Sequence, residues 1–306
     1  MASEPDGPAF CATAARIWRA VAAPDPGGPF ANVEGGSVEQ QRDRRLQLHH
    51  VANYAAALTL LGESPGSARL LELGCGSGAL SRGLARSMPP GWTLTAVDYS
   101  AAHVQRAQRH AVAANLEFRQ LDLRAIEPVE VSDFDAVLML EVIEHLTPLE
   151  AAQLLGRLHA GLRAGGRLVF STLDRSPFPR PCSGYGPHRV EYSCATLLER
   201  LADPTFNPFE RWRLYRLVSA DITAAAVRSE NQGGYLANRV AAGLERFPLT
   251  RLALRWAVGL GYRLYSMLPA AGFDIHAAIG DIDLVDDISG RFDRQSFGIV
   301  AVLEKA

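Results

Sequence analysis

Two glutamates and a histidine lie close together in the segment Leu-Glu-Val-Ile-Glu-His-Leu at residues 140–146. Glu141, Glu144 and His145 occupy positions i, i+3 and i+4, which share one face of a helical turn. We therefore expect their side chains to converge. Two carboxylates and one imidazole suit a divalent cation such as Mg²⁺, Mn²⁺ or Zn²⁺. The pattern predicts a metal site, and His145 is a candidate general base if no metal binds.

A second group of residues predicts a ligand-binding loop. The apolar run that begins at Arg69 reaches Glu72 and then breaks into three alternating glycines, Gly74, Gly76 and Gly78. Glycines at this spacing let the backbone adopt positive φ, and the first amides of a following helix point into the same space. The sequence therefore predicts a strand, a tight loop and a helix start that together hold a nucleotide-like molecule.

Alternating strands and helices must position both groups. Such a pattern implies right-handed crossovers and ligands at the carboxyl ends of the strands. The sequence thus predicts an α/β fold with a doubly wound, mostly parallel, seven-stranded sheet of the Rossmann type. We expect strands beginning at Arg69 and at 92–97, 117–120, 134–140, 167–172, 212–218 and 297–303, and an acidic loop at 281–287.

The pattern divides the chain into four parts. We expect an N-terminal helical cap at 1–66, a cofactor-binding core at 67–204, a helical substrate-covering region with one core strand at 205–295, and a last core strand at 296–306. The helical block at 222–268 is rich in arginine. This block favours one of three roles: a solvated face, a homodimer contact or a substrate lid.

Composition narrows the classes of function. The chain has 306 residues, is 48% hydrophobic and carries a formal net charge of −2, so it lacks the basic surplus of most nucleic-acid-binding proteins. Its four cysteines show no spacing typical of a zinc site or a disulfide framework. The N-terminus lacks the pattern of a signal peptide. We therefore expect a cytoplasmic protein without an integral membrane segment that acts on a small molecule.

The loop and its flanking acids resemble the class I S-adenosylmethionine-dependent methyltransferases over residues 68–172. The loop reads Gly-x-Gly-x-Gly, whereas many dinucleotide sites, the chief rival, read Gly-x-Gly-x-x-Gly. The resemblance implies that Glu72 supports the loop, that Asp98 accepts the two ribose hydroxyls, and that Asp122 holds the adenine amino group with the Leu123 backbone. The cofactor-binding residues that it implies are Glu72, Gly74, Cys75, Gly76, Gly78, Asp98, Tyr99, Asp122, Leu123 and Leu140.

The Glu-x-x-Glu-His segment resembles two methyltransferase groups. One is the UbiG-type O-methyltransferases of the ubiquinone pathway, and the other is the small-RNA 3′-terminal 2′-O-methyltransferases, in which a later histidine completes a metal site. Here His188 stands at the corresponding place. The resemblance implies the metal ligands Glu141, Glu144, His145 and His188, and catalytic roles for His145, His188 and Glu141.

These patterns favour S-adenosylmethionine-dependent, metal-assisted O-methylation of a small organic substrate such as a phenol, quinone, sugar or secondary metabolite. Three alternatives stay open at this point: RNA 3′-terminal 2′-O-methylation, metal-free N- or C-methylation with a histidine base, and a cofactor-binding scaffold without activity.

For the other histidines the sequence predicts a position in a helix rather than a role in the site. His49 and His50 lie in a segment faintly similar to the one that closes the cofactor pocket of UbiG-type enzymes, but we expect them on a solvent-exposed helix face. His103, His110 and His159 fall on helices predicted to pack on the sheet, and the sequence assigns them no role.

Overall fold

The computed structural model describes residues 7–22, 44–62, 66–110, 113–231, 274–286 and 289–306. Most of the predicted arginine-rich block, at 232–268, lies outside these ranges.

Helices and strands alternate along the described chain. The α-helices are α1 Gly7–Ala22, α2 Arg44–Leu61, α3 Ala79–Ser87, α4 Ala101–Arg109, α5 Pro148–Gly161, α6 Cys194–Ala202, α7 Ala220–Ser229 and α8 Ile275–Gly280. The strands are β1 Arg69–Leu73, β2 Thr93–Asp98, β3 Leu116–Gln120, β4 Ala136–Leu140, β5 Arg167–Leu173, β6 Arg211–Val218, β7 Asp283–Val285 and β8 Ser296–Glu304. Short 3₁₀ helices cover Pro128–Glu130 and Ile143–His145. Within the described ranges, no helix has the length and apolar character needed to cross a membrane.

These strands form one sheet in the order β3-β2-β1-β4-β5-β8-β6-β7. Neighbours among β1 to β5 are parallel, while β8 is antiparallel to β5 and β6, and β7 is antiparallel to β6. The predicted doubly wound, mostly parallel sheet is confirmed. Its order reverses between β1 and β4, which is where such sheets bind ligands.

The predicted strand number is wrong, because the described sheet has eight strands rather than seven. The additional strand, β7, lies in the segment expected to be an acidic loop. Leu284 is buried between residues that face outward and pairs with Leu217 of β6. This alternation is a strand signal, but it is only three residues long.

Strand β4 lies at the centre of the core, with all of its residues buried. Leu138 packs in an apolar cluster with residues of α1 and α2, whereas Val137 and Met139 pack in a second cluster with residues of α5 and α6. Because successive side chains alternate between the faces, β4 is covered on both sides. Its carboxyl end therefore holds Leu140 and the residues that follow at a fixed place beside the glycine loop.

Candidate functional site

The loop between β1 and α3 is built on left-handed glycines. The φ angles are 82° at Gly74, 53° at Gly76 and 74° at Gly78. An added Cβ would lie 2.6 Å from Val142 at Gly74 and 2.5 Å from Phe118 at Gly78. Conformation and packing therefore both require glycine at these two positions.

The loop is anchored to the end of β2. The backbone amides of Gly74 and Cys75 donate to the carbonyl of Val97 at 2.8 and 3.0 Å. Burial raises the pKa of the Cys75 thiol well above its usual range, and the charges of Glu72 and Asp98 raise it further. Cys75 is thus a packing residue rather than a nucleophile.

Asp98 ties this loop to the start of α4. Its Oδ2 accepts from the Gly76 amide and its Oδ1 accepts from the Ser100 amide, both at 2.9 Å. Each carboxylate oxygen keeps a second lone pair for a ligand hydroxyl. His103 is also buried here, with its Nδ1 3.4 Å from Asp98 Oδ1. The sequence assigned His103 no role, because a histidine on a helix carries no signal of the strand end that it faces.

Glu72 lies buried beneath the loop, 1% exposed. The hydroxyl of Tyr54, on α2, donates a hydrogen bond to its carboxylate. Burial raises the pKa of Glu72 to about 7, although hydrogen bonds from Tyr54 and Ser81 lower it and the charge of Asp98 raises it. The glutamate predicted to support the loop is therefore itself held by a helix of the N-terminal segment.

This burial predicts a pH dependence of stability. Because the folded protein holds the Glu72 proton more tightly than the unfolded chain, stability is fully present below pH about 4.5 and is lost as the pH rises to about 7. The loss attributable to Glu72 is about 3 kcal/mol. We expect Glu72→Gln to abolish it, as measured by denaturant unfolding across this range. The exposed control Glu199→Gln should leave the slope unchanged, and an equal slope in wild type and Glu72→Gln would contradict the assignment.

The remaining cofactor residues of the sequence analysis lie around the same edge. Tyr99 follows Asp98 and is 49% exposed, while Leu140 is buried at the end of β4. Asp122 and Leu123 are both half-buried. The Asp122 carboxylate accepts hydrogen bonds from the Arg124 guanidinium at 3.0 and 2.8 Å, and this pairing lowers its pKa. Its contact with adenine stays a prediction.

Glu141 does not join the helical turn that the sequence suggested. Its φ is 56°, the only positive value at a non-glycine residue in the described ranges, and the helical turn begins only at Ile143. Its carboxylate instead accepts from Asn53 Nδ2 at 3.1 Å and lies 3.6 Å from His49 Nε2. The expected convergence of Glu141 with Glu144 fails because the i, i+3 rule holds only along a continuous helix.

His49 and His50 are not on a solvent-exposed face. His49 is 8% exposed, stacks on His50 with ring centres 5.0 Å apart, and meets Phe297 edge-on. Burial lowers the pKa of His50 to about 4, with a further contribution from His49. Helix α2 thus directs His49, Asn53 and Tyr54 towards the ligand edge. The sequence offered only the faint similarity around His49 as a signal of this, and none for the other two residues.

Glu144, His145 and His188 form a compact group. One ligand atom from each lies within 4.8 Å of the others, and the rings of His145 and His188 meet edge-on with centres 5.0 Å apart. The backbone amides of Arg189 and Val190 donate to the Glu144 carbonyl at 2.7 and 3.2 Å, which fixes the loop that carries His188. Three of the four predicted metal-site residues are therefore brought together.

The pKa values of the two glutamates are shifted in opposite directions. Burial would raise the pKa of Glu141, but the attraction of His49, His50 and His188 outweighs it and lowers that pKa. Burial and the charge of Glu141 raise the pKa of Glu144 well above its usual range. Oε2 of Glu144 is also buried without a hydrogen-bond partner among the described residues. An ionised Glu144 thus needs a positive partner at this place.

The residues present fit both expected groups. One carboxylate and two imidazoles provide three protein ligands, which is the number found in catalytic zinc sites. The same set also suits Mn²⁺. The glycine loop, the first amides of α3 and the spare lone pairs of Asp98 offer what the carboxylate and ribose hydroxyls of S-adenosylmethionine require.

Comparisons with known proteins place part of this chain in one family. Residues 71–168 match a family model described as a methyltransferase domain. The ubiquinone biosynthesis O-methyltransferase of Alkalilimnicola ehrlichii is 38% identical over 112 residues, covering 36% of this chain and 43% of that protein. That of Nitrosococcus oceani is 32% identical over 135 residues, covering 43% and 51%. This region is a class I S-adenosylmethionine-dependent methyltransferase domain. The resemblance to class I methyltransferases, and to the UbiG type among them, is confirmed. The chain spans about half the length of these relatives.

The methyltransferase fold extends beyond that region. The [4+2]-cyclase SpnF is 17% identical, with 98% of this chain and 95% of that one covered at a TM-score of 0.51. The phosphoethanolamine N-methyltransferase 2 of Haemonchus contortus, in complex with S-adenosyl-L-methionine, is 16% identical, with 83% and 52% covered at a TM-score of 0.50. At these identities the likeness shows that this chain shares the fold of those proteins, and it does not show that the chain shares their reactions.

Proposed function

We propose that this protein transfers the methyl group of S-adenosylmethionine to a hydroxyl oxygen of a small organic molecule, with the help of a divalent cation. The observation that carries the proposal is the group of Glu144, His145 and His188 beside the glycine loop. The match to O-methyltransferases supports oxygen as the acceptor. Because the fold neighbours are named for N-methylation and cyclisation, the proposal relies on these residues and not on the fold.

In the proposed site the cofactor would lie along the loop. Gly76 and Gly78 keep the backbone close to the ligand, and Asp98 accepts the ribose hydroxyls. S-adenosylmethionine supplies an already activated methyl group, so the protein has to orient the acceptor and exclude water.

On the acceptor side, Glu144, His145 and His188 would hold the cation. A cation bound there lowers the pKa of a substrate hydroxyl and orients it. Glu141 is assigned a different task from the one first expected. Its carboxylate, held by Asn53 and His49, interacts electrostatically with Glu144 and His188 and would help to retain a cation bound there.

The alternatives differ in what they need from these residues. Metal-free N- or C-methylation would use His145 or His188 as base and would leave Glu144 without a positive partner. RNA methylation would need a basic channel, which the net charge of −2 does not favour. A scaffold without activity would bind S-adenosylmethionine but consume none.

The metal part of the proposal predicts the effect of Glu144→Gln. We expect Mn²⁺ to bind wild type in a calorimetric titration and to bind the variant more than about tenfold more weakly, because an anionic ligand is lost. The exposed Glu117→Gln serves as control and should bind like wild type. With methyl-labelled S-adenosylmethionine and a panel of phenols and alcohols, chelator should remove transfer. Transfer that survives chelation would refute metal assistance and favour the histidine-base alternative.

A further inference from the structure

His188 is confined by contacts that lie outside the group it shares with Glu144 and His145. Its Nδ1 lies 2.7 Å from Oε1 of Glu191, whose side chain is 4% exposed. The rings of Tyr185 and His145 meet the imidazole edge-on, with centres 4.9 and 5.0 Å away. The ring therefore has one nitrogen committed to a buried carboxylate.

Glu191 is itself held as a hydrogen-bond acceptor. The Ser183 amide donates to its Oε2 at 2.8 Å, and the Ser183 hydroxyl donates to its Oε1. Nε of Arg175 lies 3.2 Å from Oε2. Since donors and a cation surround both oxygens, the carboxylate can only accept from His188. A neutral imidazole has one N–H, so its proton belongs on Nδ1 and its lone pair on Nε2.

Arg175 has a second carboxylate partner, which fixes it behind Glu191. Its guanidinium is 3% exposed and bonds Glu230 through two nitrogens at 2.7 and 3.2 Å. It also donates to the carbonyl of Arg180 at 2.7 Å and lies 4.1 Å above the ring of Phe178. A buried cation with two carboxylate partners holds its geometry, because moving either partner would leave a charge uncompensated.

We propose that Glu191 is a positioning residue that keeps the proton of His188 on Nδ1 and leaves the Nε2 lone pair available to the site, with Arg175 holding Glu191 in place. The position of the His188 proton does not depend on the proposed function; only the role of His188 in the reaction rests on it. As a cation ligand or as a base, His188 needs that lone pair.

The tautomer can be read directly in the unloaded protein. The histidines are labelled with ¹⁵N and observed by long-range ¹⁵N–¹H correlation at a pH where the ring is neutral. This spectrum distinguishes the ring nitrogen that carries the proton from the one that does not. The His188 signal is assigned by its loss in His188→Gln. We expect the proton on Nδ1 in wild type. A proton on Nε2 would overturn the proposal whatever the variants do.

Variants then test whether Glu191 is the cause. Glu191→Ala should release the tautomer into a mixture and weaken Mn²⁺ binding by about 10–100-fold. Glu191→Gln, which retains a carbonyl acceptor, should largely keep the tautomer and serves if the alanine variant does not fold. The exposed Glu199→Ala should change neither readout. A wild-type tautomer in Glu191→Ala would refute the inference. Absence of Mn²⁺ binding to wild type would refute the metal proposal and leave the tautomer result to decide on Glu191.

Discussion

Replacing Asp98 with asparagine is expected to weaken S-adenosylmethionine binding by about 10–100-fold, because hydrogen bonds to a charged group contribute about 1.5–3 kcal/mol. The wild-type carboxylate accepts from the amides of Gly76 and Ser100 on its two oxygens. Whichever way the asparagine side chain turns, its NH₂ group faces one of these N–H groups. The substitution therefore disturbs the loop and removes acceptor capacity for the ribose together.

Calorimetric titration of S-adenosylmethionine measures this effect. The matched control is Asp133→Asn. Asp133 is exposed and lies 3.5 Å from Arg69, at the amino end of β1 and so at the opposite edge of the sheet. We expect its dissociation constant to equal that of wild type. An unchanged constant in Asp98→Asn would mean that the ribose lies elsewhere, and the assignment of the pocket would be wrong.

The second large effect is on stability. Gly78→Ala should lower the free energy of unfolding by about 2–5 kcal/mol, because it adds left-handed strain of about 1–2 kcal/mol to overpacking of about 1–3 kcal/mol. The φ of Gly78 is 74°, and its added Cβ would lie 2.5 Å from Phe118 and 2.9 Å from the side chain of Ala107. Neither neighbour can easily move, since Phe118 and Ala107 are both buried.

Gly165→Ala separates the two contributions, since Gly165 has a φ of 75° and an added Cβ would meet nothing within 4 Å. Denaturant unfolding should show a loss of only about 1–2 kcal/mol for this variant. Equal losses in the two variants would mean that Phe118 and Ala107 yield to the methyl group. The loop would then be less tightly packed than the structure indicates.

The sequence predicted the fold well because its signals are local and repeated. Strands and helices alternate in the order that a doubly wound sheet requires, and β1 begins at Arg69 as expected. Strand β7 was missed because three residues around Leu284 carry too little alternation to distinguish a strand from an acidic loop. Its pairing with β6 is a tertiary effect.

The site was predicted less completely, for a physical reason. Glu144 and His145 lie together as expected because they follow a strand end within one turn; their role as metal ligands stays a prediction. Glu141 was misplaced because its positive φ breaks the helical spacing, and nothing in its residue type predicts that conformation. His49 contacts Glu141 from the distant helix α2, and one sequence does not reveal contacts between distant segments. Glu191 lies only three residues after His188, but the two residues belong to no helix or strand whose spacing would predict their contact.

A crystal structure grown with S-adenosylhomocysteine and Mn²⁺ tests the central claim most directly, because the anomalous signal of manganese locates the cation independently of the protein. We expect the homocysteine along the glycine loop, with its ribose hydroxyls on Asp98. We expect the manganese peak at about 2.0–2.3 Å from ligand atoms of Glu144, His145 and His188. A nucleoside bound without contact to Asp98, or a saturating Mn²⁺ concentration that leaves these three side chains without a peak, would contradict the account.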